Sequence, residues 1–215
     1  MRKRLIIVGG GGLGRIVHDV VTRDPQFTDA YEVSGFLDTR ADLILPDGIT
    51  APLLGSPLDY TVQNGDVFIA AVGLPQWRRN LVKPLLSQGA SFTSYTRNSS
   101  LGARTVIGAG TFITPGAVVS VDCLIGAFAY LDTYVILGHD VVIEDYCMIG
   151  AMSFLAGGVR VGAGVSIHPR VTIAKGITIG DGATIGIGSV VVKDVPAGVT
   201  VFGNPARVIY KSEGS

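Results

Sequence analysis

The sequence predicts two architectures in tandem. A small α/β half-Rossmann unit covers residues 1–97, a parallel β-helix of hexapeptide repeats covers 98–195, and a cap and tail cover 196–215. Three observations carry this reading. First, an aliphatic residue recurs every six positions from Leu101, through Ile107 and Ile113, to Val191, sixteen positions without a break. Neither the 3.6-residue period of a helix nor the two-residue period of a strand gives a fixed six, whereas hexads mark a parallel β-helix. Second, the residue after each aliphatic position is usually glycine, as at Gly102, Gly108, Gly126, Gly138 and Gly150, which suits a chain that turns a corner in every hexad. Third, residues 5–8 are an apolar run that ends in Gly9-Gly10-Gly11-Gly12-Leu13-Gly14 and continues as Arg15-Ile16-Val17-His18-Asp19-Val20-Val21. That is a strand, a glycine turn and a helix in succession.

Composition bounds the function. The 215 residues are 47% apolar and 16% charged, with a mean hydropathy of +0.46, so there is ample material for a core. Glycine, at 30 residues, stands at about twice its usual share of roughly 7%, and the hexad corners absorb the excess. The formal net charge is zero, which argues against nucleic acid as a partner. No apolar stretch reaches the length of about 18 needed to span a bilayer, so no membrane partner is expected. The apolar run after Arg4 is too short for a signal peptide, and a soluble, cytoplasmic chain is expected. Cys123 and Cys147 both fall on inward repeat positions and read as small core residues rather than a disulfide or metal pair.

In the first unit, the glycine turn matches GxGxxG at Gly9, Gly11 and Gly14, and Asp38 follows a second strand over 33–37. The glycines let backbone approach a diphosphate, and the helix N-terminus offers N–H donors. Roughly 95 residues are too few for the two halves of a dinucleotide fold. A mononucleotide or nucleotide-sugar site is therefore preferred, with NAD and a purely structural turn as the alternatives. Asp38 also has the simpler reading of a solvated strand-end carboxylate. A further strand over 66–72 ends at Gly73; a helix with Trp77, Arg78, Arg79 and Leu81 follows, and 87–96 reads as the last strand. Arg78 and Arg79 read as a solvated helix face, and His18 as a helix-face residue.

In the repeats, three hexads make one coil, so residues 18 apart stack about 4.8 Å from one another. The aliphatic position and the position four later point inward; the position two later faces out. One outward column reads Val121, His139, Gly157, Lys175, Lys193, and another reads Thr133, Ala151, Pro169, Ile187. His168 follows the inward Ile167 and reads as structural. His139 stands outward in mid-prism with Asp140 beside it. A histidine with a carboxylate neighbour has the chemistry of a general base, the acid fixing its tautomer or raising its basicity. The alternative is a surface histidine with an incidental aspartate. Because strand neighbours point to opposite faces, the two side chains can touch only at a corner. No second His or Cys lies at ligand spacing on this column, and no metal is expected.

The hexad run, the Gly-Gly-Gly-Gly-Leu-Gly turn, Gly35-Phe36-Leu37-Asp38, Ala71-Val72-Gly73, Gly138-His139-Asp140 and Gly203-Asn204-Pro205-Ala206-Arg207 occur in this order. Together they resemble the bacterial sugar acyltransferases that include sialic-acid O-acetyltransferase (NeuD), the bacillosamine N-acetyltransferase (PglD) and the perosamine N-acetyltransferases, over nearly the whole chain. The resemblance implies a homotrimer of left-handed β-helices, with acetyl-CoA in the groove between two prisms and a nucleotide sugar held by the first domain. By position it implies His139 as base and Asp140 as the carboxylate that increases its basicity. It places Gly11, Gly12, Leu13, Asp38, Thr39 and Gly73 on the nucleotide sugar, Gly157 on the thioester carbonyl, and Met148, Pro169 and Ile187 along acetyl-CoA. The family often has histidine where this chain has Leu13 and Met148, and an acidic residue where it has Thr39. The implied activity is acetyl-CoA-dependent N-acetylation of a UDP- or GDP-linked 4-amino-4,6-dideoxy sugar in surface polysaccharide or glycan synthesis. O-acetylation of a sugar hydroxyl and a non-catalytic nucleotide-binding scaffold are the alternatives.

Overall fold

A computed structural model describes residues 2–211; Met1 and the end of the expected tail, 212–215, lie outside the described residues. The chain divides into two compact units, Met1–Ser94 and Tyr95–Ser215.

The first unit runs β1 (Lys3–Val8), α1 (Gly12–Thr22), α2 (Pro25–Thr28), β2 (Tyr31–Leu37), β3 (Leu53–Gly55), β4 (Asp66–Ala70), α3 (Pro75–Ser87) and β5 (Ser91–Phe92). Its strands form one parallel sheet in the order β3-β2-β1-β4-β5. The central strand is covered on both faces, so Leu5, Ile6, Ile7 and Val8 are all fully buried. This is why it reads as an unbroken apolar run rather than an alternating one. In α1, Val17 and Val21 share a face one turn apart and are buried with Gly14. The glycines of the turn have separate reasons. A Cβ on Gly14 would stand 1.9 Å from the Gly9 carbonyl oxygen, and Gly9 itself has a φ of +106°. Both are needed to bring helix onto strand. A Cβ on Gly12 would meet nothing within 4 Å.

Two expectations for this unit are corrected. The last strand is only β5, because Leu81, Val82 and Leu85 give 75–87 a buried helical face that carries α3 through Ser87. Beyond it, Tyr95 already bridges to Phe112 in the second unit's own sheet. Arg78 is not on a solvated face: it is 1% exposed, and its Nη1 donates to the Val72 carbonyl at 3.1 Å. The guanidinium thus holds the strand end that leads into Gly73.

The second unit begins with sixteen two-residue strands, β6 (Ser100–Leu101) through β21 (Val190–Val191). They stack into three parallel sheets with partners 18 residues apart, as in Leu137↔Leu155. Inward positions fill the prism: Ile143, Ile149, Leu155 and Ile167 from the aliphatic series, and Val135, Val141, Cys147 and Val165 four residues after it. Each cysteine sulfur donates to a backbone carbonyl, Cys123 to Gly138 at 3.2 Å and Cys147 to Gly162 at 3.0 Å. The corner device differs from the one expected. The glycine after each aliphatic residue serves close coil-to-coil approach: a Cβ on Gly108 would stand 2.4 Å from the Ala127 nitrogen, and on Gly150 2.5 Å from that of Pro169. The turn itself is made two residues later, where φ is positive at Gly110, Gly116, Asp122, Phe128, Tyr134, Asp140 and Tyr146 alike. His168, expected as structural, has an exposed side chain, because the position after the aliphatic residue lies outside the packed interior. The segment expected as loop and cap is a hairpin, β22 (Val199–Gly203) and β23 (Ala206–Lys211). Its first strand pairs parallel with Thr184–Ile185, so the hairpin extends that sheet and covers its edge.

Candidate active site

Above the C-terminal ends of β1, β2 and β4 lies a cavity of about 650 Å³. That volume is in the range of small-molecule sites. Gly11, Gly12, Leu13, Asp38, Thr39 and Gly73, all expected at a nucleotide-sugar site, line it together. The sheet order explains the convergence: β2 and β4 flank β1, so the three segments that follow these strands open at one place. Gly11 is the N-cap of α1, with no side-chain hydrogen bond of its own, and leaves the helix N-terminus facing this space.

Asp38 is not a solvated carboxylate. It is 8% exposed, accepts from the Gly10 N–H at 2.8 Å and takes Arg40 in a bidentate pair, Nε to Oδ1 and Nη2 to Oδ2, each at 2.8 Å. The hydrogen bonds from Arg40 outweigh burial and bring its pKa down to about 2. Asp38 therefore clamps the glycine turn to the end of β2. Arg40 was missed by sequence reading; its spacing two residues after Asp38 was the available signal, since a side chain there can fold back on the carboxylate. Trp77, expected only as part of the helix after Gly73, and Leu74 also line the cavity.

In the second unit, Nδ1 of His139 lies 2.6 Å from Oδ2 of Asp140. The contact is made at a corner: Asp140 has a φ of +60°, a conformation that aspartate tolerates better than most residues, and this turns its carboxylate back beside the preceding ring. An ionised carboxylate can only accept, so Nδ1 carries the proton and Nε2 is left as the basic nitrogen. The ring lies over Gly157, one coil on, where an added Cβ would stand 2.6 Å from Nε2. Glycine is what makes room for the imidazole. The Gly157 N–H has no acceptor among the described residues. At equivalent positions on the neighbouring corner, the N–H groups of Ala127 and Ala163 are taken by Asp145 at 2.7 Å and Asp181 at 3.0 Å.

The remaining expected residues lie elsewhere on the prism. His139, Asp140 and Gly157 share the corner that follows the face bearing Val118, Ile136 and Phe154. Pro169 and Ile187 share the corner that precedes this face, with Met148 half-buried on the sheet leading into it. Within one prism the two groups are separated by that face. Val118, Ile136 and Phe154 stand outward on it and are 43%, 44% and 42% exposed. Among the described residues no group of three or more His, Cys, Asp or Glu is placed to hold a metal ion. No described helix is long and apolar enough to cross a membrane.

Residues 4–85 match the PglD N-terminal domain. Residues 122–157 match the bacterial transferase hexapeptide, described as six repeats, and 170–193 match the hexapeptide repeat of succinyl-transferase. Among curated proteins, an acyl-[acyl-carrier-protein]–UDP-N-acetylglucosamine O-acyltransferase of Stutzerimonas stutzeri (strain A1501) is 36% identical over 108 residues, 50% of this chain and 42% of that protein. The chain thus spans less than half the length of such relatives. Among solved structures, the acetyltransferase domain of PglB from Neisseria gonorrhoeae FA1090, in complex with acetyl coenzyme A, is 25% identical with a TM-score of 0.86, covering 97% of this chain and 100% of that one. PerB from Caulobacter crescentus, in complex with CoA and GDP-perosamine, is 26% identical with a TM-score of 0.84, covering 96% and 97%. WeeI from Acinetobacter baumannii AYE is 27% identical with a TM-score of 0.77, covering 95% and 99%. The repeats therefore wind as a left-handed β-helix. One chain thus joins a match to the PglD N-terminal domain with matches to bacterial transferase hexapeptide repeats, and over nearly its whole length it is similar in fold to the PglB, PerB and WeeI structures.

Proposed function

We propose that the protein transfers the acetyl group of acetyl-CoA to the amine of a nucleotide-linked 4-amino-4,6-dideoxy sugar, UDP- or GDP-linked, in surface polysaccharide or glycan synthesis. The observation that carries this reading is the His139–Asp140 pair set over Gly157, with Nδ1 held by the carboxylate and Nε2 left free of it beside Gly157. The likeness to PerB, whose complex holds CoA and GDP-perosamine, supports an amino-sugar acceptor. In the mechanism, His139 Nε2 takes a proton from the amine as the nitrogen attacks the thioester carbonyl. Asp140 orients the ring and stabilises the imidazolium. The Gly157 N–H meets the developing oxyanion. The carbon–sulfur bond then breaks, and the thiolate leaves with the proton from His139. Gly11, Gly12, Leu13, Asp38, Thr39 and Gly73 hold the nucleotide sugar, and Met148, Pro169 and Ile187 lie along the CoA arm.

The same reading makes the protein a homotrimer. The residues expected on CoA and the basic histidine sit on different corners of one prism, so a groove containing both is completed by a second copy. The exposed apolar residues Val118, Ile136 and Phe154 lie on the face that such packing would cover.

The test is release of thiol from acetyl-CoA in the presence of UDP- and GDP-linked amino sugars. His139→Ala should lower turnover by about 10²–10⁴-fold while CoA binding is retained. Near-normal turnover in that variant would remove His139 from the chemistry, and release only with hydroxyl acceptors such as sialic acid would replace N- with O-acetylation.

A further inference from the structure

We infer that Trp77 is the platform on which the base of the bound nucleotide stacks. The inference rests on the reading of the first unit's cavity as a nucleotide-sugar site, and adds the group that holds the base. Tryptophan is among the most buried residues on average, yet Trp77 keeps 57% of its surface exposed and Leu74, three residues before it, 61%. Both line the cavity. An apolar surface of this kind, at a concave site and next to polar groups, is the mark of a surface that a ligand covers.

The cavity walls differ in chemistry. The glycine turn presents backbone and the open N-terminus of α1, an eleven-residue helix whose cap carries no side-chain hydrogen bond, and this suits a diphosphate. The end of β2 presents the Asp38–Arg40 pair, which suits hydroxyls and phosphate oxygens. The wall that follows β4 is apolar, formed by Val72, Leu74 and Trp77. A nucleoside diphosphate has one flat part with apolar faces, its base. Trp77 is the aromatic side chain among the described residues lining the cavity, held in the first turn of α3 just beyond the strand end that Arg78 secures. Matching each part of the ligand to the wall of its own chemistry leaves the base on the indole. Stacking of this kind is tolerant of base identity. Uracil and guanine would both be held there.

Trp77 is the single tryptophan of the chain, so its emission reports this site alone. The experiment titrates the full-length protein with UDP, GDP and inorganic pyrophosphate, following tryptophan fluorescence and, separately, heat of binding. UDP or GDP should quench or shift the emission, while pyrophosphate should not. Trp77→Ala should weaken nucleotide binding by about 5- to 150-fold, the range that loss of one base–aromatic stack produces. It should leave pyrophosphate binding unchanged. Trp77→Phe, which keeps a smaller ring and serves if the alanine variant fails to fold, should stay within about fivefold of the parent. If nucleotide binds calorimetrically but emission does not change and both variants bind as the parent does, the stacking inference is wrong and the cavity reading stands. If neither nucleotide binds at millimolar concentration, the cavity reading fails and takes the inference with it.

Discussion

Replacing Gly157 by alanine would test the arrangement of the proposed base without removing any group that does chemistry. The new Cβ would stand 2.6 Å from Nε2, 2.8 Å from Cε1 and 3.0 Å from Cδ2 of His139, where ordinary contact begins at 3.4 Å. The ring must therefore retreat by about 0.8 Å. It can do so: its side chain is 55% exposed, no backbone atom is among the nearest neighbours of the new methyl, and Gly157 has no positive φ to strain. The fold should survive. A displacement of about 1 Å at a reacting group can cost about 10²-fold in rate, so turnover should fall by roughly that factor. The backbone N–H of residue 157 is retained, which separates this effect from loss of an oxyanion donor. Steady-state thiol release on Gly157→Ala, His139→Ala and the double variant completes a cycle. In the His139→Ala background the second change should cost less than about twofold, because no ring remains to be displaced. The reasoning is refuted if Gly157→Ala turns over as the parent does, or if its full loss persists without His139. Gly138→Ala is the contrast: its Cβ would stand 2.5 Å from the Gly157 nitrogen, a backbone atom with no freedom to move. That variant should lose stability rather than turnover alone.

Two further outcomes follow from the structure. Asp38 has its pKa lowered from 3.8 to about 2 in the folded chain, so its contribution is fully present above about pH 4 and is lost as pH falls toward 2. Asp38→Asn should therefore lower stability by up to roughly 2 kcal/mol at neutral pH, with the difference closing between pH 4 and 2; urea midpoints across that range measure it, and a gap independent of pH would refute the ion-pair account. Ile136→Glu places a charge on the exposed apolar face beside Val118 and Phe154. If the proposed homotrimer packs on this face, sedimentation should show the parent as three copies and the variant as one, and an unchanged mass would show that this face lies outside the interface.

The hexad period is legible because each inward slot of a coil repeats the environment of the last. The same aliphatic requirement is therefore written sixteen times, and Ile143, Ile149 and Leu155 are buried where the period places them. The glycine turn and the helix after it are legible for a similar reason, since Gly9 and Gly14 meet constraints set within a few residues of each other. The outward position of His139 also follows from counting along the repeat. Other features depend on what lies a coil or a strand away. The positive φ that turns Asp140 toward His139 sits at a position occupied elsewhere by Gly110, Phe128 or Tyr146, so residue type does not announce it. The ring of His139 rests over Gly157 because coils stack 18 residues apart. The hydrogen bond from the Gly10 N–H to Asp38, which joins segments 28 residues apart, forms only once β2 is laid beside β1. Trp77, indistinguishable in the sequence from a core residue, stands at an open cavity for the same reason. By itself the sequence determined the prism, the βαβ start and the set of residues free to face out, because these are local and repeated constraints. The tertiary structure decided which of those residues meet, because contacts between distant segments are set by coil stacking and strand order, which no local pattern encodes.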